Sequence, residues 1–428
     1  MYKKNLEKNT PLSGRSLSRI FTFLGFIFYP LYFTPLLFWH ILKGERWPYI
    51  LFTLFIGALA YLIIPIEGMD IIGYYDAFDT LKNLSFKEIF DYSDDVTRYF
   101  TFSVIWLLEV IGFSKEMIPF TFVIATYLIL LRVFFYVIDD YKVKFLNTPK
   151  KIFILIFWVI LFFEVGFMSS ASGLRNQLSF SISLLGLYLI LSKNYTFKGL
   201  GLLLVAALIH PSAILFIFLY FLIKGLSYSG LYRILLYLSI LALLTDASAV
   251  IMQYILSLVN HLYDVVNSTR KSSLSISGAW GGGYWDLISY NSFVYSKYVQ
   301  PLPFYVALIY LFFTRAKSES REYRNFLYAL FFVVAVFSFL NTLFVRYNTF
   351  SVLFFTIMLM IEYRTQPFSY FKKVFIIIFV ISIITANAAA MYKYRYVFES
   401  WIDILYLPMP VIIVTKEELD SSHYRLNL

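Results

Sequence analysis

Long apolar runs, separated by short polar turns, repeat along the chain from residue 16 to residue 391. Runs of this length are typical of helices that cross the hydrocarbon core of a membrane, which is about 30 Å thick. The clearest runs are 47–65, 117–138, 152–168, 178–192, 231–245, 301–314, 325–343, 348–361 and 374–391. The pattern predicts an all-α, polytopic membrane helical bundle with about 11 to 13 spans, organised as a single membrane domain over residues 1–428.

Prolines interrupt the first apolar segment, 16–42, where Pro30 and Pro35 stand in its middle. Basic residues flank the segment on both sides. It is therefore either a hairpin that dips into the membrane and returns, or a single kinked span whose flanks break the usual charge distribution. The sequence leaves both alternatives open.

The segment 199–224 carries Pro211 at its midpoint, directly after His210. Proline removes a helical hydrogen bond, so the segment is either one broken span or a hairpin with His210 at its tip. A hairpin places Lys193 and Lys224 on the same side of the membrane, and the distribution of charge favours it. Each leg would be only about 18 Å long, so the tip would lie below the membrane surface in a cavity.

The chain is 60% hydrophobic and has 36 Lys and Arg residues against 26 Asp and Glu residues. Most of the basic residues lie in short turns between apolar runs, which is typical of the cytoplasmic side of a membrane protein and not of a nucleic-acid-binding protein. Two polar segments are predicted on the outside: the acidic loop 67–116, with an interfacial part, and the loop 246–300, with an amphipathic helix. The absence of Cys excludes a disulfide framework and a Cys nucleophile.

A charged Arg and a His stand out in the apolar segment 169–221. Arg175 precedes an apolar helix, a turn that contains Lys193, and a second helix that ends at His210 in the sequence IHPSA. This arrangement resembles the EpsG and Wzy polysaccharide polymerases of bacterial envelopes. Charge within membrane spans is rare and is usually functional, so the resemblance rests on residues that carry chemistry.

Two shorter segments add to this resemblance. GMDIIGYYDAF contains a Gly-x-Asp, ending at Asp70, which is followed by Tyr74, and RYNTF begins at Arg346. The Arg that commonly precedes the Gly-x-Asp in the family is replaced here by Pro65 and Ile66.

The resemblance implies a fold similar to that of membrane glycosyltransferases that use polyprenyl-linked donors (GT-C-like). It implies a polymerase that joins undecaprenyl-pyrophosphate-linked repeat units on the outer face of the bacterial plasma (inner) membrane. The expected partners are the lipid-linked donor and acceptor and membrane lipid, with a flippase and a chain-length regulator as further candidates. No metal, cofactor or nucleic acid is expected.

Arg175 and His210 are the candidate catalytic residues under this resemblance. The planar fork of an Arg suits the departing diphosphate, because it donates two hydrogen bonds and keeps its proton. A His suits the acceptor hydroxyl, from which it can take a proton near neutral pH. The candidates for substrate binding are Asp70, Tyr74, Arg98, Glu164, Trp280, Trp285 and Arg346.

Two functions from other classes remain open. A flippase for lipid-linked oligosaccharides would also direct basic residues into a cavity, distributed along several spans. A structural scaffold for assembly of the envelope would need neither Arg175 nor His210.

Overall fold

The structure of the chain is a computed structural model, and it describes residues 14–65, 69–82, 84–92, 96–144, 151–226, 229–245, 247–265, 293–315, 320–365, 369–393 and 407–415. These residues are mostly helical, and none of them forms a strand. The prediction of an all-α polytopic membrane protein is confirmed.

The helices are α1 Gly14–Phe28, α2 Pro30–Leu42, α3 Trp47–Tyr61, α4 Asp70–Leu81, α5 Ile89–Tyr92, α6 Val96–Ile111, α7 Met117–Lys144, α8 Lys151–Glu164, α9 Phe167–Ser172, α10 Leu174–Lys193, α11 Thr196–Ile209, α12 Ile214–Gly225, α13 Ser229–Leu244, α14 Ala247–Val265, α15 Leu302–Phe313, α16 Arg321–Val336, α17 Asn341–Thr365, α18 Tyr370–Lys393 and α19 Met409–Thr415. Short 3-10 turns at Pro211–Ala213 and Phe337–Phe339 and a π-turn at Tyr295–Val299 complete the described secondary structure.

Five of the described helices are long and apolar enough to cross a membrane, or six if the bent pair α13 and α14 is one span. Further apolar helices, such as α1, α2, α3, α11 and α12, are only 10 to 17 residues long. The prediction of 11 to 13 spans is therefore larger than the number of full-length helices in the described part of the chain. Helix breaks at Pro30 and Pro211 divide two long apolar runs of the sequence into pairs of shorter helices.

Local chemistry sets several of these helix ends. Pro48 lies in the first turn of α3. Backbone N–H groups in the first turn have no acceptor within the helix, so the N–H that proline lacks costs no helical hydrogen bond. Asn194, in the left-handed region at φ 57°, ends α10. Gly166, at φ 66°, separates α8 from α9, because this conformation carries no penalty for glycine.

The centre of the bundle is formed by α10 and α17. The membrane-spanning part of α17 is buried over 83% of its residues and that of α10 over 78%, whereas that of α18 is buried over only 22%. Helix α18 therefore lies at the periphery and faces lipid, while α10 and α17 face protein on nearly all sides. This central position explains why polar residues on α10 and α17 can be accommodated.

One end of the bundle, called here the lysine end, holds the C-termini of α10 and α12. Ser192 Oγ lies 2.7 Å from the Tyr323 hydroxyl, and Lys224 Nζ lies 3.1 Å from a Glu322 carboxylate oxygen. Because Glu322 and Tyr323 are consecutive residues at the start of α16, the segments around Lys193 and Lys224 lie at the same end of the bundle. The predicted hairpin is confirmed, with α11 and α12 as its legs.

The opposite end, called here the serine end, holds the tip of this hairpin. Ser212 accepts a hydrogen bond at its carbonyl from the Tyr347 hydroxyl at 2.8 Å, and its Oγ lies 3.3 Å from Asn176 Oδ1. The backbone N–H of Asp70 donates to Ser172 Oγ at 3.2 Å. Helices α4, α9, α10 and α17 therefore meet the hairpin tip at this end.

The N-terminal segment is also a hairpin, which settles the alternative that the sequence left open. Arg19 in α1 donates from Nε and Nη2 to the two carboxylate oxygens of Glu45, both at 3.0 Å, just after α2. Thr22 Oγ1 and His40 Nε2 lie 3.3 Å apart. Just after α2, Arg46 pairs with Asp139 in α7. The next residue, Asp140, pairs with Lys193 at the lysine end. Both flanks of the N-terminal hairpin therefore lie at the lysine end.

Two predicted loops contain more helix than the sequence pattern indicated. The described part of segment 67–116 forms α4, α5 and α6, and α4 and α6 pack together. The predicted amphipathic helix of segment 246–300 is present as α14, which is bent by 102° from α13. Met252 in α14 is buried against the bundle, while Val250 and Tyr254 of the predicted apolar stripe are 51% and 74% exposed.

Candidate active site at the serine end

A cavity of about 570 Å³ opens at the serine end. Its polar lining includes Asp70, Ser169, Ser172, Asn176, Gln177, Tyr295, Gln300, Arg346, Thr349 and Asn387. Its apolar lining includes Phe52, Ile56, Tyr127, Phe162, Phe163 and Met168. The cavity therefore has a polar wall from α4, α9, α10, α17 and α18 and an apolar wall from α3 and α8, a combination that fits a ligand with a charged or sugar part and an apolar part.

Arg346 lies inside α17 and lines this cavity, half-buried. The prediction that it lies in a turn before a span beginning at 348 is wrong, because α17 already begins at Asn341, while the predicted outer side stays a prediction. A helix can carry Arg346 within the membrane region because the polar cavity solvates it. Among the described residues, no carboxylate and no hydrogen-bond acceptor pairs with Arg346.

Tyr74 lies close to several predicted site residues. Neither Tyr74 nor Arg175 is among the described residues that line the cavity, although Asp70 and Asn176 are. Arg175 donates from Nε to the Tyr74 hydroxyl at 3.1 Å. Burial raises the pKa of Tyr74 above its ordinary value, against the opposing charge and hydrogen bond of Arg175. The charges of Asp70 and Arg98 also act on this hydroxyl, so three other predicted residues, Asp70, Arg98 and Arg175, lie near Tyr74.

Ser212 links the hairpin tip to the two helices that carry the arginines. It touches Asn176, the residue after Arg175, and Tyr347, the residue after Arg346. The contact with α17 continues below the tip, where the Phe216 and Phe350 rings stack with centroids 3.8 Å apart. The hairpin therefore fixes the spacing between α10 and α17 at the cavity.

His210 stabilises the turn of this hairpin. Its backbone is extended, at φ −150° and ψ 124°, and its Nδ1 accepts from the backbone N–H of Ser212 at 3.2 Å. His210 Nδ1 also lies 2.7 Å from the Ser212 hydroxyl oxygen, so this nitrogen is engaged within the turn. His210 is also not one of the described residues that line the cavity, although Asn176 connects it to that lining through Ser212.

The family model of the EpsG family matches residues 46–402. The chain belongs to the EpsG family. This is the family of Wzy-like polysaccharide polymerases, and membership supports a polymerase-type function in general terms. Comparison with curated proteins and with solved structures gives no significant match. The suspected resemblance is confirmed, and the match covers every helix that lines the cavity.

The remaining predicted site residues of this EpsG-family protein are less well connected. Glu164, at the end of α8, is half-buried and makes no hydrogen bond or ion pair with Arg175 or any other described residue. Trp280 and Trp285 lie outside the described residues. A role for these three in substrate binding stays a prediction.

Sequence reasoning missed the amide side chains that line the cavity. Asn176 and Gln177 are buried at 6% and 4% exposure in the first turn of α10, and Asn387 lies in the last two turns of α18. The usable signal was an amide in an otherwise apolar run, as in the sequence IITANAAA around Asn387. An amide is uncharged and is therefore a weaker sequence signal than Arg or Asp. Its burial in a membrane helix nevertheless requires a hydrogen-bond partner or a polar cavity.

Proposed function

We propose that this EpsG-family protein extends a polysaccharide at the serine-end cavity. The growing chain is transferred from undecaprenyl pyrophosphate to a hydroxyl of an incoming lipid-linked repeat unit. The observation that carries the proposal is Arg346, a half-buried cation that lines a polar cavity and has no carboxylate partner among the described residues. A half-buried cation without a counter-ion loses part of its hydration without compensation, and a bound anion offsets that loss.

The leaving group of this reaction is a diphosphate, which gains negative charge as the bond to the sugar breaks. Guanidinium groups stabilise that charge in place of a divalent ion, because they donate bidentate hydrogen bonds to phosphate oxygens. Arg346 lines the cavity, and Arg175, held by Tyr74, directly precedes Asn176, which also lines it. Since diphosphate is already a good leaving group, no dedicated general acid is required.

The acceptor hydroxyl must lose its proton as its oxygen bonds to the anomeric carbon. Asp70 lines the cavity with an exposed carboxylate at the start of α4, and we assign it the role of proton acceptor. The electron pair of the broken bond leaves with the diphosphate. His210 was the candidate base in the sequence, and its Nδ1 is already engaged by the turn, so we assign it the positioning of Ser212 and Asn176.

The rest of the cavity provides for the other parts of the substrate. Asn176, Gln177 and Asn387 offer donors and acceptors for sugar hydroxyls. Phe162 and Phe163 belong to the apolar wall, and Phe163 is 41% exposed, so this wall reaches the lipid-facing surface. The first isoprene units of the carrier can pack there while the diphosphate reaches Arg346.

The proposed orientation has the serine end outside and the lysine end in the cytoplasm. Lys193, Lys224 and Lys372 lie at ends of helices that meet at the lysine end, as the positive-inside rule requires for a cytoplasmic face. The serine end carries Asp70 and Asp76 on α4. Undecaprenyl-linked repeat units would then be joined on the outer leaflet.

The test uses the purified protein in liposomes with a radiolabelled, undecaprenyl-pyrophosphate-linked repeat unit. The wild type should produce a ladder of polymers, and Arg346→Ala should reduce polymer formation about 100-fold or more, because the site loses a charged hydrogen-bonding group. Arg132→Ala is the matched control, since Arg132 is an exposed Arg that contacts Tyr136 and does not line the cavity. Activity should persist in EDTA.

Three results would reject the proposal. The first is translocation of the labelled lipid across the vesicle membrane without any polymer, which is the outcome expected of a flippase. The second is full polymerisation by Arg346→Ala. The third is activity that disappears with EDTA and returns with magnesium, which would assign the stabilisation of the diphosphate charge to a metal ion.

A further inference from the structure

A second cavity, of about 400 Å³, lies at the opposite end of the bundle, between α13, the end of α15 and the start of α16. Three arginines line it: Arg233 from α13, Arg315 just after α15, and Arg321 at the start of α16. Asn325, Tyr237 and Tyr328 complete the polar lining. The volume lies within the range of about 300–1,000 Å³ that is usual for small-molecule sites.

None of the three arginines has a counter-ion in the part of the chain that the structure describes. Arg233, Arg315 and Arg321 form no ion pair or hydrogen bond with any described residue. Glu322, the residue after Arg321, is paired with Lys224 at 3.1 Å. Three guanidinium groups that line one cavity give it a positive potential, which attracts an anion.

This arrangement differs from the ordinary distribution of basic residues at a cytoplasmic surface. Arg233, Arg315 and Arg321 are exposed, as Lys198 and Lys373 are, but the two lysines lie apart on α11 and α18, whereas the three arginines line one cavity. Arg233 is about eighty residues from Arg315 and Arg321 in the sequence, yet all three line the same cavity. Arg also supplies a planar fork that binds phosphate oxygens in pairs, which Lys cannot do.

The floor of the cavity is firmly held. Tyr328 is 5% exposed and interacts with Arg324, which is fully buried and donates from Nε to Glu362 at 2.7 Å. The half-buried amide of Asn325 makes no hydrogen bond with a described residue. The floor therefore presents a fixed tyrosine and an available amide to a ligand.

The mouth of the cavity borders the lipid-facing surface. Ile234 and Tyr237 on α13 are 50% and 51% exposed, and Phe312 and Phe313 at the end of α15 are 46% and 64% exposed. The Tyr237 and Phe312 rings touch, with centroids 5.7 Å apart. An apolar surface at the ends of membrane helices is where acyl chains lie, and a phosphate attached to them would reach the arginines.

We propose that this cavity binds the phosphate of an anionic phospholipid, with the acyl chains packed against Ile234, Phe312 and Phe313. The site is separate from the serine-end cavity, and the proposal does not depend on the polymerase reaction. Basic clusters near a membrane surface attract anionic lipids by a factor of about 5 per residue. Loss of all three arginines should therefore weaken binding on the order of 100-fold.

The experiment is native mass spectrometry of the full chain in detergent, titrated with phosphatidylglycerol. The triple variant Arg233→Gln, Arg315→Gln and Arg321→Gln should lose bound phosphatidylglycerol about 100-fold relative to the wild type. These arginines have no structural partners among the described residues, so the variant should elute as the wild type does on size exclusion. The matched control, Lys43→Gln, Lys198→Gln and Lys373→Gln, removes the same charge from exposed positions outside the cavity and should retain the lipid.

Parallel titrations distinguish the sources of the phosphate. Phosphatidylcholine, inorganic phosphate, glycerol 1-phosphate and undecaprenyl phosphate should each bind at least 10-fold more weakly than phosphatidylglycerol. Equal loss in the two triple variants, or no loss in either, would overturn the site. Tighter binding of free phosphate, of glycerol 1-phosphate or of undecaprenyl phosphate would overturn its assignment to a phospholipid.

Discussion

At the scale of single residues, the position of Arg175 depends on Tyr74. The hydrogen bond between them joins α10 to α4, two elements that are about a hundred residues apart in the sequence. Burial raises the pKa of Tyr74 above its ordinary value, so the phenol stays protonated and accepts the hydrogen bond from Arg175. Tyr74 is therefore a positioning residue in the proposed reaction.

The first prediction is that Tyr74→Phe lowers polymer formation about 10-fold, because a hydrogen bond to a charged group contributes about 1.5–3 kcal/mol. The measurement is the rate of polymer formation in liposomes, and the expected loss is in kcat. Tyr136→Phe is the control, since Tyr136 also accepts from an Arg, at 2.8 Å, but on an exposed face of α7. Equal rates for the wild type and Tyr74→Phe would contradict the positioning role.

The second prediction concerns the buried ion pair near the lysine end. Arg324 and Glu362 are both 0% exposed, and Lys372 approaches the same carboxylate at 3.3 Å. Glu362→Gln leaves a buried cation without compensation and should destabilise the protein by about 3–5 kcal/mol. The readout is the thermal unfolding midpoint in detergent.

Glu322→Gln is the comparison for this second prediction. Glu322 is half-exposed in its pair with Lys224, and exposed ion pairs contribute little to stability. The midpoint of Glu322→Gln should therefore stay close to that of the wild type. A similar small shift for both variants would show that the buried pair does not stabilise the fold.

At the scale of elements, the hairpin α11–α12 reaches the serine end because α11 packs closely against α10. A Cβ added at Gly186 would lie 2.9 Å from the Gly199 carbonyl oxygen, and one added at Gly199 would lie 2.6 Å from that of Gly186. Ser179 Oγ donates to the Ala206 carbonyl at 2.9 Å nearer the tip. Small residues and a hydrogen bond between helices are the usual means of close packing in a membrane.

The third prediction is that Gly199→Ala separates α10 from α11 and destabilises the protein, because its Cβ meets backbone as well as the Ile190 side chain at 2.3 Å. Gly201→Ala, two residues further along α11, has nothing within 4 Å of the added Cβ and should be neutral or slightly stabilising. Thermal unfolding and polymer yield should both fall for Gly199→Ala alone. An unaffected Gly199→Ala protein would exclude the close contact.

At the scale of the whole molecule, the two ends have different chemistry, and the proposed function requires them to face opposite sides of the membrane. The chain has no Cys, so one introduced thiol reports its side without background. Lys198 and Lys224 are exposed at the lysine end, on different legs of the hairpin, and Thr80 is exposed at the end of α4.

The fourth prediction is that Thr80→Cys reacts with a membrane-impermeant maleimide in intact spheroplasts, while Lys198→Cys and Lys224→Cys react only after lysis. Labelling of Lys198→Cys and Lys224→Cys from opposite sides would contradict the hairpin. Labelling of both from outside would reverse the orientation and place the cavity in the cytoplasm.

The sequence by itself determined the class, the family and several of the residues that meet at the site. Apolar periodicity and charge identified a membrane bundle, since water and lipid act on every residue independently of the fold. The distribution of Lys193 and Lys224 was enough to favour the hairpin. Asp70, Tyr74, Arg98 and Arg175 were all predicted, and the structure places Asp70, Arg98 and Arg175 near the Tyr74 hydroxyl.

Only the tertiary structure decided what surrounds each of these residues. Arg346 was placed in a turn because its polar neighbours interrupt the apolar pattern, yet those residues are helical where α17 faces a cavity. Asn176 and Asn387 line that cavity together although they belong to α10 and α18. Arg233 and Arg315 line the second cavity together, although they belong to different parts of the sequence. Hydropathy is a property of one segment, whereas a cavity arises from the packing of several segments. The hydropathy pattern of one helix therefore does not predict the cavity.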